Sequence, residues 1–233
     1  MTNLPGCTAI IVGAGNGRRF GASDKVLVEL AGKPLIEYSL DVFCGVPCVR
    51  EVILVLSAET RDAGEELIGR YRSRTPAVVC LGGPTRSDSV REGLQRVSES
   101  SDFVFVHDGA RPLLTNQLVD RLLASAIENG AAVPSLLLTD SVLQVGDSSQ
   151  AQVAVDRSKL RTVQTPQVAR REWLVDALIE RSQESTDESA ALLRCGYPVA
   201  LVDGDPGNIK ITWPADLVLA EAILRNRTTC ASA

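Results

Sequence analysis

The sequence holds one histidine, His107, and six cysteines with no C-x-x-C pair among them. A zinc centre needs clustered ligands, and cysteines scattered at positions 7, 44, 48, 80, 195 and 230 make no disulfide framework, so free thiols are expected. No apolar run reaches the ~20 residues of a membrane span. The amino terminus also lacks the basic start and small-residue cleavage pattern of a signal peptide, which leads to the expectation of a cytoplasmic protein. Lysine is scarce: Lys25, Lys33, Lys159 and Lys210 stand among 24 lysines and arginines. In so arginine-rich a chain, a retained lysine points to a place that needs a compact ammonium instead of a planar fork. The formal net charge of −5 argues against nonspecific attraction to nucleic acid or to acidic membrane surfaces. An anionic ligand must therefore be drawn by a local cluster of cations.

Such a cluster lies in residues 10–35, IIVGAGNGRRFGASDKVLVELAGKPL. An apolar strand empties into a loop carrying Gly13, Gly15, Gly17 and Gly21 beside Arg18, Arg19 and Lys25. Glycines let backbone N–H groups turn inward as an anion-binding concavity, and the expected guest is a phosphate. Two better-known phosphate loops are absent. The dinucleotide fingerprint G-x-G-x-x-G fails because its third glycine would fall on Arg18 or Phe20, which also removes the case for a dehydrogenase. The pattern G-x-x-x-x-G-K-[ST] fails because Gly32-Lys33 is followed by Pro34. A plain turn between strand and helix would account for the glycines alone; the cations carry the phosphate reading.

At 233 residues with 45% apolar side chains, the chain is long enough for a real core. Periodicity predicts helices over 35–46, 58–71, 86–98 and 116–128, alternating with strands over 51–57, 77–81, 102–107 and 131–138. Helices over 170–181, 187–195 (capped by Thr186) and 214–225, with a strand over 199–203, complete the pattern. Alternation of this kind implies right-handed crossovers and a mostly parallel sheet with helices on both faces. One domain over 1–233 is expected, without an internal repeat or linker. Ligands of such sheets sit beyond the carboxyl ends of the strands. There the sequence places the glycine loop, then Gly82-Gly83-Pro84-Thr85-Arg86 with Ser87, Asp88 and Ser89, then His107-Asp108-Gly109-Ala110-Arg111-Pro112. Ser87 and Asp88 are candidate helix caps. His107 reads as a hydrogen-bonded residue at a strand end, and Asp108 as a carboxylate that can orient a hydroxyl or help hold a phosphate-bound metal.

Residues 139–157 break the alternation. Two short strands over 141–145 and 152–155 flank a polar turn, which predicts a hairpin projecting from the sheet. A lone two-stranded ribbon is marginal, so packing against a second copy of the chain is expected.

Taken in order, the motifs GAGNGRR with Lys25, GG-x-x-R-x-DSV at 82–90, VHDGARP at 106–112, Asp156-Arg157, Thr165-Pro166-Gln167, Thr186-Asp187-Glu188 and GNIKIT at 207–212 resemble the 2-C-methyl-D-erythritol 4-phosphate cytidylyltransferase family over almost the whole chain. The resemblance implies a Rossmann-like nucleotidyltransferase fold with a projecting β-arm. It also implies a reaction in which CTP and methylerythritol phosphate, with Mg²⁺, give the CDP-alcohol and pyrophosphate. By the same resemblance Arg19 and Lys25 lie on the reacting phosphates, with Gly17 in the triphosphate loop. Ala14, Gly15, Gly83 and Ser89 read cytosine, and Gly109 lies near the ribose. Asp108, Arg111, Thr186 and Lys210 line the acceptor site, while Ser141 and Arg157 reach it from the arm of a partner in a homodimer. Arg157 and Lys210 join Arg19 and Lys25 as the catalytic set. Mg²⁺ is expected on the phosphates, with Asp108 nearby. Val12, Gly13, Asp24, Val26, Pro84, Ser141 and Leu143 depart from the family pattern. A relative acting on ribitol 5-phosphate or a similar polyol phosphate, and a silent nucleotide-binding relative, are the alternatives.

Overall fold

The apolar run Cys7–Val12 forms strand β1, buried up to its last residue. Parallel strands bond it on both sides, with Ile10 opposite Ile53 on one and Val106 on the other. A strand so enclosed has no polar face to present, which is why its sequence does not alternate. The structure, a computed structural model, describes residues 4–15, 20, 25–71, 75–146, 150–182 and 185–231. The chain next forms a two-residue ladder of β2 (Glu29–Leu30) and β3 (Lys33–Pro34). Its turn residues Ala31 and Gly32 both take positive φ, 50° and 78°, as tight hairpin turns matched to strand twist require. Then follow α1 (Leu35–Gly45), β4 (Val49–Leu56), α2 (Arg61–Gly69), β5 (Ala77–Leu81), α3 (Arg86–Leu94), β6 (Phe103–Asp108), α4 (Asn116–Asn129) and β7 (Ala131–Leu137). The arm is β8 (Val142–Val145) with β9 (Ala151–Val155). After it come β10 (Arg161–Val163), β11 (Gln167–Arg170), α5 (Arg171–Val175), a π-helical turn at Asp176–Glu180, α6 (Glu188–Arg194), β12 (Ala200–Asp203) and α7 (Pro214–Ala231).

The main sheet runs in the order β10-β7-β11-β6-β1-β4-β5, with β12 also paired to β7. Strands β6, β1, β4 and β5 are mutually parallel, and β12 is parallel to β7. The expected mostly parallel sheet flanked by helices is present, but β10 and β11 run antiparallel. Strand β11 was not foreseen. It is inserted between β6 and β7, with Val168 opposite both Phe105 and Ala132, so the helix expected from 170 begins only at Arg171. The helix expected over 187–195 is capped by Asp187, whose side chain accepts from the Ala190 N–H, and not by Thr186. The last helix extends past position 225 to Ala231.

Alternate side chains of β1 divide the core into two layers. Ile11 lies with Phe43, Leu54, Phe105 and Leu122 beneath α1, α2 and α4. Ile10 lies with Ile53, Val90, Val106 and Leu178 beneath α3, α5 and α6. A smaller cluster of Leu30, Leu35, Leu113, Ile211 and Ala220 fastens α7 to the β2–β3 ladder. The arm forms a separate two-stranded sheet in which all residues but Val142 and Val155 are exposed.

At the end of α4, Gly130 turns the chain directly into β7 with φ +86°, and its N–H donates to Ala126 O at 2.7 Å. A Cβ there would lie 2.0 Å from the Trp173 ring, which stacks on Tyr197 at 4.7 Å and cannot swing aside cheaply. Gly130→Ala is therefore expected to destabilise the fold by ~2 kcal/mol or more through left-handed strain and overlap together. A urea titration would register it as a lower midpoint at unchanged slope.

Candidate active site

Three strand exits meet at one edge of the sheet. The Gly13 N–H donates to Val55 O at 2.7 Å, the Gly82 N–H to Leu56 O at 2.8 Å and the Gly109 N–H to Val12 O at 2.9 Å. The ends of β6, β1 and β5 are thus held along one edge, with β4 bridging β1 and β5. Between them opens a cleft of about 540 Å³ whose lining includes Gly13, Ala14, Gly15, Lys25, Gly83, Arg86, Ser89, Asp108, Ala110 and Lys210. One wall requires glycine. A Cβ on Gly82 would lie 2.4 Å from Ala14 Cβ and 2.7 Å from Ser89 Oγ, and one on Gly83 would lie 2.4 Å from Asp88 Cβ. At that wall Gly83 presents backbone to the cleft, which a flat ligand can approach closely.

Helix α3 begins at this wall. Thr85 is its N-cap, accepting from the Asp88 N–H, while the Asp88 carboxylate accepts from the Thr85 N–H in return. That capping box absorbs Asp88 into local structure. Ser89 is buried in the first turn, donating to Thr85 O at 2.9 Å, with its hydroxyl at the cleft. Ser87 does not cap; its hydroxyl donates to Ser185 O at 2.9 Å.

The far wall is an ionic network around Asp108, the last residue of β6. Arg86 Nε donates to Asp108 Oδ1 at 2.9 Å and Lys210 Nζ to Oδ2 at 2.7 Å, while Arg111 Nε lies 3.8 Å from Oδ2. Burial alone would raise the pKa of this carboxylate, but the charges of Arg86, Lys210 and Arg111 overcome burial and hold it far below the usual range. Arg86 is itself gripped from behind, its Nη1 and Nη2 donating to Glu188 Oε1 and Oε2 at 2.8 and 3.1 Å. Burial pushes the Glu188 carboxyl upward against the pull of Arg86, and its two carboxylate partners push the Arg86 guanidinium up despite burial. Lys25 approaches from the first loop, donating through Nζ to Ile211 O at 2.8 Å. That carbonyl belongs to the residue after Lys210, so the two lysines share one wall.

Behind Asp108 a buried polar chain sets the loop. The Asp108 N–H donates to Thr165 Oγ1 at 3.0 Å, and His107 lies between Thr165 Oγ1 at 3.3 Å and Arg111 O at 3.1 Å. A carbonyl can only accept, so Nε2 carries the proton and Nδ1 accepts from the Thr165 hydroxyl. Arg111 Nη1 donates to Asn208 O, and Asn208 Nδ2 donates to Thr165 O, each at 2.8 Å.

Of the residues singled out in the sequence, Ala14, Gly15, Lys25, Gly83, Ser89, Asp108 and Lys210 come together in the cleft. Gly109 does not line it: a Cβ there would lie 3.0 Å from Ile36 Cδ1, and Ala110 takes the lining position. Arg111 lies behind Asp108 on Asn208, and Thr186 is exposed in the strap before α6. Ser141 and Arg157 are exposed on the arm and at its foot, where Arg157 donates to Thr139 O; neither lines the cleft of its own chain. Gly17, Arg18, Arg19 and Asp24 lie outside the described residues. Sequence reasoning gave no role to Arg86, Glu188, Thr165 or Asn208, although Arg86 and Glu188 stand inside two of the quoted motifs. Among the described residues no three His, Cys, Asp or Glu side chains group as metal ligands. Asp108 is the one carboxylate lining the cleft among the described residues, and both its oxygens are taken by cations, so the described side chains do not fit a protein-held ion.

Residues 7–226 match the family described as IspD, 2-C-methyl-D-erythritol 4-phosphate cytidylyltransferase. The chain is 38% identical over 223 residues to the enzyme of that name from Geobacillus thermodenitrificans, covering 94% of this chain and 97% of that one. It is 39% identical to the bifunctional enzyme IspD/IspF of Desulfotalea psychrophila over 94% of its own length, spanning 56% of that longer protein. Among solved structures, the 2-C-methyl-D-erythritol 4-phosphate cytidylyltransferase of Thermus thermophilus superposes with a TM-score of 0.76 at 33% identity, over 93% of this chain and 98% of the other.

The buried imidazole gives a test of how this site is held. Burial, outweighing the field of Asp108, lowers the His107 pKa from the ordinary 6.5 to about 4. A depressed folded pKa contributes stability that is complete above the unfolded value and is lost as pH falls from about 6.5 to about 4. The full effect is on the order of 3 kcal/mol. His107→Gln, which has no proton to gain, is expected to flatten that part of the stability profile relative to wild type, as measured by urea unfolding at stepped pH. Parallel profiles would remove His107 from the account.

Proposed function

The chain belongs to the 2-C-methyl-D-erythritol 4-phosphate cytidylyltransferase family, and we propose from that membership and its cleft that it joins CTP to 2-C-methyl-D-erythritol 4-phosphate, releasing pyrophosphate. One observation carries the assignment to this cleft: a pocket at three strand exits, with Gly83 in one wall, has Lys25 and Lys210 on another and ionised Asp108 between Lys210 and Arg86. The acceptor phosphate is already an anion, so attack on the α-phosphorus needs no general base. The obstacle is electrostatic. Two unit charges 4 Å apart repel by about 4 kcal/mol at an effective dielectric of 20, and Lys25 and Lys210 offset that repulsion while fixing the line of attack. The same ammonium groups stabilise charge on the five-coordinate phosphorus and the departing pyrophosphate. Ala14, Gly15, Gly83 and Ser89 offer backbone and hydroxyl groups to the cytosine ring. Asp108 orients the acceptor's hydroxyls, with Arg111 holding the loop behind it; Thr186 is assigned to the acceptor on the family motif alone. Arg19 and Gly17 are assigned to the triphosphate on the family motif alone. Mg²⁺ is proposed to arrive bound to the nucleotide phosphates, since the described side chains of the cleft do not cage an ion.

The proposal extends to a homodimer. Leu143, Val145 and Val153 of the arm are 56, 62 and 52% exposed, an apolar ribbon with too few partners to be stable alone. A second copy would cover it and bring Ser141 and Arg157 to the other cleft. No helix among the described residues is long and apolar enough to cross a membrane, and a cytoplasmic setting remains part of the proposal.

Pyrophosphate release from CTP and Mg²⁺ is expected with methylerythritol phosphate and not with ribitol 5-phosphate; the reverse would move the protein to the polyol branch. Lys25→Ala and Lys210→Ala should each lower kcat ~100-fold or more while CTP binding changes far less. Equal losses in both would remove their transition-state role. The arm has its own test. Neither Lys25→Ala nor Arg157→Ala alone should turn over well, but after subunit exchange half of the dimers pair one of each and hold one intact composite site. About a quarter of wild-type activity should then return. No recovery, with exchange verified by mass, would place Arg157 outside the neighbour's cleft.

A further inference from the structure

The ionic network around Asp108 is asymmetric. Lys210 is 37% exposed at the cleft and holds one oxygen of Asp108 through a single flexible stem. Arg86 holds the other oxygen through Nε while both its terminal nitrogens are bound to the buried Glu188. The two cations are therefore not equivalent: one can leave and the other cannot. The grip on Arg86 is itself braced. The next residue, Ser87, donates to Ser185 O, and the Ser189 N–H donates to the buried Gln167 Oε1 at 2.7 Å. Gln167 stands two residues after Thr165, whose hydroxyl accepts from the Asp108 N–H. Contacts thus close a ring from β6 through α3, α6 and β11 back to β6.

We propose that Arg86, locked by Glu188, is the positioning residue of this site: it stays on Asp108 so that Lys210 can transfer from the carboxylate to the incoming phosphate. Without it, that transfer would leave Asp108 as a buried charge with only Arg111, 3.8 Å away, to compensate it. The fork matters as much as the charge. A lysine at this position donates from a single nitrogen and cannot reach two carboxylates from separate nitrogens in one plane, as Arg86 does. This inference rests on the reading that Lys210 and Asp108 face the acceptor.

The experiment compares Arg86→Lys, Arg86→Gln and Glu188→Gln with wild type in the pyrophosphate-release assay, varying CTP and methylerythritol phosphate separately, with thermal melts alongside. Expected are losses of ~100-fold in kcat/KM for the acceptor in all three variants, with KM for CTP within about threefold of wild type. Arg86→Lys keeps the buried charge and remains informative even if Arg86→Gln fails to fold. Wild-type acceptor kinetics in Arg86→Lys would overturn the role of the fork. Equal losses for CTP and acceptor would reduce Arg86 to a structural residue and overturn the proposal. Wild type inactive with methylerythritol phosphate would overturn the reading of the cleft, and this inference with it; wild type active beside unaffected variants would overturn this inference alone.

Discussion

Asp108 is buried and ionised, and much of the molecule is arranged to make that tolerable. An isolated carboxylate taken out of water costs several kcal/mol, and a buried pair stripped of one partner is among the most damaging defects a fold can carry. The compensating cations come from three places in the chain: Arg86 from the start of α3, Arg111 from the loop after β6, and Lys210 from the segment after β12. Since Asp108 and Lys210 are 102 positions apart, the fold must close over almost half its length before the charge is balanced. Backbone contacts hold that closure: the Ile211 N–H donates to Ala110 O at 2.8 Å, and Ile211 is buried with Leu30 and Leu113 beneath α7.

The same requirement explains the inserted antiparallel strand. β11 fills the gap between β6 and β7 and carries Gln167 into the interior, where its side chain accepts from the first turn of α6. Its approach places Thr165 against the Asp108 N–H and His107. A helix-flanked parallel sheet alone would end at the β6 exit with two orphaned polar groups; the insertion supplies partners for both. His107, which a first glance at the sequence could promote to a catalytic base, is spent on this scaffolding with both ring nitrogens engaged.

How much of this the sequence reveals depends on the range of the interaction that decides each element. β1, β4 and β6 are legible because a strand covered on both faces is written as an apolar run, and the helices between them carry their own periodicity. β11 is four residues, QVAR, just after a proline; its pairing with β6 and β7 is set by residues far off in the sequence, for instance Gln167 with Val106 and Val168 with Ala132. The α6 cap is misread from sequence for a different reason. Thr186 and Asp187 are both good capping residues, and only the extended backbone at Asp187, φ −158°, decides between them. In the candidate site, Lys25, Asp108 and Lys210 are legible because motifs mark them. Glu188 stands in a motif too, yet its role is not legible, because an acidic residue in the first turn of a helix is ordinary and looks solvent-facing until Arg86 is found beside it.

The charge balance of the cleft also bears on turnover. A chain of net charge −5 must concentrate cations locally to gather two anionic substrates, yet a wall of unopposed cations would hold pyrophosphate as firmly as it holds the transition state. Binding ground state, transition state and product equally well adds nothing to kcat. Here two of the site's cations, Arg86 and Lys210, are already opposed by Glu188 and Asp108. Arg86 therefore contributes little to anion affinity. Lys210 must give up one partner to take another, so its net gain on meeting a phosphate is smaller than that of a bare ammonium. An anion-binding cleft whose cations are partly satisfied in advance discriminates by geometry more than by charge, which is what an enzyme releasing a highly charged product requires.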